Sequence, residues 1–270
     1  MAQQFFTGVD GNRLAYHDVG PRQGRPVVLR HGLCANSAQF LADADFFAMR
    51  GYRLLLPDIR GHGASSAPAH YPDEGFSIPV LASDMAAMLD HAGVGPVHWV
   101  GNSLGGIIAF RLVADQPERF ESLATFGTAH RLSLPAISPK AIPLLYQLLG
   151  RRLAAWSTAR GTTANRAARP LIAAMLTALD PRVGEAIARH VRNYDLTEAA
   201  LSYAGPTLLL HCGFDSAVNL ALAATLKRFA GRDSFTRIEL KTGGHMANLD
   251  ATDEWRAALL QFWQKVEGQL

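Results

Sequence analysis

One five-residue stretch restricts this chain more than any other. Gly101-Asn102-Ser103-Leu104-Gly105, extended by Gly106, follows the apolar run Val97-His98-Trp99-Val100. It opens a segment running to about Asp115, in which Leu104, Ile107, Ile108, Phe110 and Leu112 recur with helical spacing. A strand must therefore turn abruptly into a helix with a serine at the apex. Glycines two before and two after Ser103 remove Cβ atoms that would collide in so tight a turn. The serine Oγ then lies at a helix N-terminus, where free N–H groups favour developing negative charge. The G-x-S-x-G pattern in this setting predicts an exposed nucleophilic Ser103, against the competing reading of a glycine-rich turn with a surface serine.

The rest of the chain supports a sheet that could hold such a turn. Residues 3–9 and 12–19 read as a hairpin about Asp10-Gly11. Short apolar runs at 26–29, 52–56, 97–100, 207–210 and 235–240 read as strands. Helical patterns lie at 36–49, 77–91, 104–115, 217–229 and 252–266. Strands alternating with helices predict an α/β fold with a mostly parallel sheet covered on both faces. The Gly- and Pro-rich stretch 58–76 reads as loop. Between 130 and 200 strand signals stop, and prolines separate short amphipathic runs. The predicted organisation is a core of 1–129 and 201–270, with 130–200 inserted as a helical cap.

A nucleophilic serine needs a base. Of the ten histidines, His245 alone follows the last strand, in the flexible setting Gly243-Gly244-His245. The imidazole needs a carboxylate to hold its tautomer. Asp215, after the strand at 207–210, is the first choice, and Asp233 and Asp195 remain alternatives. An oxyanion hole needs two backbone donors, assigned to the Leu104 N–H and, by position, the Leu33 N–H. His31 reads as a structural histidine holding the Leu33 loop.

Composition narrows the remaining classes. The chain has 270 residues, 49% hydrophobic and 18% charged, enough for a sizeable core and too apolar for disorder. No run of about 18 apolar residues predicts a membrane span. The net charge of +3 predicts no nucleic-acid partner. Cys34 and Cys212 are too few for a disulfide framework or a thiolate zinc site. With no secretory leader visible, they predict a cytoplasmic protein with free thiols. No metal or organic cofactor is called for, and a homodimer is left open.

Taken together, DGNRLAYHDVG, VVLRHG, LLLPDIRGHGAS, VGNSLGG, TLLLHCGFDSAV and GGHMANLD, in that order, resemble the α/β-hydrolase superfamily. The resemblance covers nearly everything outside 130–200. It implies an eight-stranded sheet with its first pair antiparallel, a helical cap, and a Ser103–His245–Asp215 triad. It gives Asp58–Gly63 a mainly structural role. The serine excludes the dehalogenases and epoxide hydrolases that use an aspartate nucleophile. What remains is similar to enol-lactone hydrolases, small-molecule esterases and C–C bond hydrolases of dienone acids. The last group typically has Trp after the catalytic His, where this chain has Met246. The chain also has Cys212 three residues before the acid and Val218-Asn219 after it, where the family usually has Gly and Val-Pro.

The expected reaction is hydrolysis of a small ester or lactone, with C–C cleavage or a non-hydrolytic small-molecule receptor as the alternatives. Leu145, Trp156 and Met246, with Leu33, Phe126, Leu144, Leu148 and Met175, are candidates for an apolar substrate pocket. Asn36 and His130, with Asn102 and Asn248, are candidate polar contacts. Ten basic and four acidic residues fall in 128–200, a net +6 against −3 elsewhere. Arg151, Arg152, Arg160, Arg166 and Arg169 could therefore draw in an anionic substrate, or simply form solvated helix faces.

Overall fold

The computed structural model describes residues 2–268. The hairpin β1 (Ala2–Thr7) and β2 (Arg13–Val19) turns through Gly11 at φ +84°, a conformation open to glycine at no steric cost. Strands β3 (Arg25–Arg30), β4 (Tyr52–Pro57), β5 (Val97–Asn102) and β6 (Phe120–Phe126) follow. Two three-residue strands, β7 (Arg131–Ser133) and β8 (Asn193–Asp195), pair only with each other. Strands β9 (Thr207–Cys212) and β10 (Phe235–Leu240) complete an eight-stranded sheet in the order β1-β2-β4-β3-β5-β6-β9-β10. Only β2 runs against the others.

The central strands are almost wholly apolar because both faces are covered. Val28, Leu55 and Trp99 point to one side, under helices α2 (Ile78–Ala92) and α3 (Leu104–Asp115). Val27, Leu29, Leu54 and Leu56 point to the other. There they meet α1 (Leu41–Ala48) and the C-terminal helix Thr252–Val266, whose Trp255 and Trp263 are fully buried. The alternation follows the two-residue period of a strand.

Several elements depart from the sequence reading. The strand β6, Phe120-Glu121-Ser122-Leu123-Ala124-Thr125-Phe126, has no continuous apolar run. Its Ser122 is buried because the hydroxyl bonds His98 Nδ1 on β5 at 2.8 Å. A partner 24 residues away thus makes a polar side chain compatible with a central strand. The stretch 130–200 is not free of strands either. The β7–β8 ribbon closes the base of the excursion, and three residues are too few to show a period. The predicted helix at 36–49 begins as a 3₁₀ turn, Ser37–Phe40.

The excursion itself is helical. It contains α4 (Ala141–Thr162), interrupted at Gly150 (φ 73°), α5 (Arg169–Ala178) and α6 (Pro181–Val191). Ala155, Ala159, Ile172 and Met175 pack on Ala35 and Met246, while Val183 and Ile187 join the α2–α3 side of the core. After it come α7 (Thr197–Ser202), α8 (Ser216–Leu226), α9 (Ala247–Asp250) and α10, the C-terminal helix already described. Among the described residues no helix is long and apolar enough to cross a membrane.

Candidate active site

The turn after β5 is held by close backbone contact. A Cβ on Gly101 would lie 2.5 Å from the Gly105 carbonyl carbon, and one on Gly105 would lie 2.4 Å from the Arg30 carbonyl oxygen. Neither position accepts a side chain without displacing the backbone. Ser103 stands between strand and helix at φ 51°, ψ −115°, a region that costs a non-glycine residue on the order of 1–3 kcal/mol. Its N–H donates to the Phe126 carbonyl at 3.0 Å. The Leu104 N–H that follows has no acceptor among the described residues, and neither has that of Leu33. Both residues line a cavity of about 270 Å³ together with Ser103 and His245.

His245 and Asp215 come from the loops after β10 and β9. The His245 Nδ1 lies 2.7 Å from Asp215 Oδ2, with the carboxylate nearly buried. A carboxylate at Nδ1 keeps the proton there and leaves Nε2 as the basic nitrogen. Asp233 is exposed in the turn before β10, and Asp195 accepts the Thr197 N–H at 2.9 Å, so neither meets the imidazole. No hydrogen bond joins Ser103 to His245 among the described residues; they meet across the cavity. Both thiols are pushed up to about 12 by burial, which leaves Cys34 and Cys212 protonated at neutral pH.

The Leu33 loop is pinned from below by two neutral histidines. His31 Nδ1 donates to the Gly32 carbonyl at 2.8 Å, and its Nε2 accepts the Ile59 N–H at 3.1 Å. His62 Nδ1 donates to the Arg60 carbonyl at 3.2 Å, and its Nε2 accepts the Cys34 N–H at 3.2 Å. Each accepting nitrogen must stay unprotonated. Burial accordingly drives His31 well below its ordinary value and His62 down to about 4. Asp58 adds bonds to the Ser37 N–H at 2.7 Å and the Ala64 N–H at 2.9 Å, which agrees with the structural role expected of 58–63.

A second polar chain holds the His245 loop. Asn102 is fully buried, and its amide donates to the His245 carbonyl at 2.8 Å. Its Oδ1 accepts from Gln39 Nε2 at 3.0 Å, which fixes the amide orientation. Gln39 also reaches Asn248 Oδ1 at 3.1 Å, and Asn248 donates to Asp43, which pairs with Arg256 at 2.7 Å. Asp250 accepts the Gly244 N–H at 3.1 Å and bonds Thr163 of the helical excursion. This framework was not legible in the sequence beyond the asparagines themselves, because its members come from four separate stretches.

Of the candidate substrate contacts Leu33 lines the cavity, whereas Asn36, His130, Leu145, Trp156 and Met246 fall outside its lining. Asn36 caps the 3₁₀ turn by accepting the Ala38 N–H at 3.0 Å. His130 bonds Thr225 at 2.8 Å and stacks on Phe229, and burial lowers it to about 4. Met246 is buried between core and excursion. Leu145 is half-buried elsewhere on α4, and Trp156 lies in an outer groove beside Arg152 and Arg160. The walls come instead from Leu132, Leu134 and Tyr194 of the ribbon region and Ala217, Val218 and Ala221 of α8.

The family model described as the alpha/beta hydrolase fold matches residues 25–194, and the chain belongs to that family. It is 32% identical over 143 residues to bifunctional epoxide hydrolase 2 of Sus scrofa, covering 51% of this chain and 25% of that protein. It is 37% identical over 110 residues to a non-heme haloperoxidase of Rhodococcus erythropolis, covering 41% of this chain and 38% of that protein. The chain thus spans only 25% to 38% of the length of these curated relatives. The enol-lactonase from Burkholderia xenovorans LB400 superposes with a TM-score of 0.80 at 22% identity, covering 96% of this chain and 99% of that one. That likeness is one of fold.

Two outcomes follow from the polar framework. His31 and His62 bind fewer protons folded than unfolded below the ordinary 6.5, for His62 down to about 4. Stability therefore rises with pH across that window and is lost as pH falls through it, at up to about 1.4 kcal/mol per unit for each residue. Urea unfolding at pH 7.5, 6 and 5 should show a falling midpoint; a midpoint constant from 7.5 to 5 contradicts the assignment. Asn102→Leu keeps the branched heavy-atom shape but leaves the His245 carbonyl unpaired, and should cost about 1–3 kcal/mol in the same assay.

Proposed function

We propose that this protein is a serine hydrolase that cleaves a small carboxylic ester or lactone through an acyl-enzyme. The observation that carries the reading is the meeting of three features in one cavity. They are a serine in a strained strand-to-helix turn, an imidazole tied at 2.7 Å to a buried carboxylate, and two backbone N–H groups without acceptors. Membership of the α/β-hydrolase family supports it. In this reading residues 130–200 are the cap of the active site.

His245 Nε2 takes the Ser103 proton as Oγ attacks the carbonyl carbon. The oxyanion is held by the Leu33 and Leu104 N–H groups, which are free to donate at no reorganisation cost. The imidazolium, stabilised by Asp215, gives its proton to the leaving oxygen. Water then repeats the sequence on the acyl-enzyme, releasing the acid and restoring Ser103. The nucleophile being a hydroxyl, the covalent intermediate is an acyl ester of Ser103.

A fluorophosphonate probe should label Ser103, and Ser103→Ala should lose both labelling and turnover of 4-nitrophenyl esters. Asp215→Asn should lower kcat on the order of 10⁴-fold. Wild-type activity in Ser103→Ala across esters and lactones would remove the hydrolase reading, whereas activity kept only in Asp215→Asn would move the acid to another carboxylate.

A further inference from the structure

We infer that the group bound beside the reacting carbonyl is uncharged and apolar, so that substrates with a carboxylate on that group are rejected. This rests on the hydrolase reading and specifies its substrate class. Apart from the proposed catalytic groups, the cavity is lined chiefly by Leu132, Leu134 and Tyr194 of the ribbon region and by Ala217, Val218 and Ala221 of α8. Its few polar atoms besides the proposed catalytic groups are already engaged. The Thr128 hydroxyl bonds the Ser103 and Phe126 carbonyls at 3.1 and 3.0 Å. The Tyr194 hydroxyl donates to the Ala129 carbonyl at 2.8 Å, and burial pushes that phenol further up, so it stays neutral.

No lysine or arginine lines this cavity among the described residues. The excess positive charge of the cap lies elsewhere. Arg152 and Arg160 flank Trp156 in an outer groove, Arg151 donates to the Thr177 carbonyl, Arg169 to the Thr163 carbonyl, and Arg166 is exposed. Arg131 is exposed and lines an adjoining surface groove that shares Leu132, Leu134, Tyr194, Ala217 and Ala221 with the cavity, but it does not line the cavity itself. A carboxylate carried into the cavity would lose its hydration and gain no cation or free donor in return. The +6 of the cap segment therefore belongs to solvated faces, and a dienone acid has no counter-ion here. A volume of about 270 Å³ lies just below the usual range of ligand pockets, which limits the apolar group to a short one.

The test compares 4-nitrophenyl pentanoate with the 4-nitrophenyl monoester of glutaric acid, which differ by a methyl against a carboxylate at the same chain length. Wild type at pH 7.5 should favour the pentanoate by about 100-fold or more in kcat/KM. Leu134→Arg, which places a cation on a partly exposed wall position, should shift that ratio toward the glutarate by at least about tenfold. Equal rates or a glutarate preference in wild type overturns the inference while leaving Ser103-dependent turnover, and so the hydrolase reading, intact. An unchanged ratio in Leu134→Arg also overturns it, because the wall would then not face the acyl group. No turnover of either ester removes both readings.

Discussion

The distance between α3 and the strands beneath it governs the rest of the site. With no Cβ at Gly101 or Gly105, the helix comes down onto β5 and onto the carbonyl of Arg30. That approach forces Ser103 into its positive-φ conformation and leaves the Leu104 N–H at the open first turn. It also brings the next strand end into range, since a Cβ on Gly32 would stand 3.1 Å from that of Ser103. The Leu33 N–H consequently belongs to the same cavity wall as the serine. The Phe126 carbonyl ties the turn to β6 by accepting from the Ser103 N–H, the Asn102 amide and the Thr128 hydroxyl.

Around this turn the protein handles polarity in two opposite ways. Beneath the site, buried amides and neutral histidines pair the polar groups of loops that would otherwise be costly to bury. His31 and His62 bind one backbone donor and one backbone acceptor each, a task only the neutral ring performs. Above the serine the lining is apolar, and its hydroxyls are turned to backbone carbonyls. The reactive groups are thereby the main polar features that a ligand meets. A low-polarity surround strengthens the interaction of the imidazole with its carboxylate and, in the proposed reaction, of the N–H pair with a developing oxyanion.

The strands at 26–29, 52–56 and 207–210 were legible because both faces of the sheet are covered and the runs are continuous. β6 was not, since Ser122 and Thr125 break its apolar pattern and Ser122 is made tolerable only by His98 on the neighbouring strand. The ribbon β7–β8 was hidden by length and by the roughly 60 residues between its partners. The proposed triad and both proposed backbone donors could be put forward from the sequence because chain order and motif spacing carry them. The cavity wall could not be, because Leu132, Tyr194 and Val218 look like any other apolar residue until the chain folds. His130 and Trp156 had attractive chemistry and the wrong place, one packed against Phe229 and the other on the outer face of α4.

Sequence alone determined the strand-to-helix turn with its serine, the order of serine, acid and histidine, and the alternation that makes an α/β sheet. These follow from local sterics and periodicity, which neighbouring residues set between themselves. Only the tertiary structure decided which side chains face the serine, which polar groups are left free, and where the charge of residues 128–200 points. Those are properties of surfaces built from stretches far apart in the chain, and half a turn of a helix is enough to send one side chain to solvent and another to the cavity.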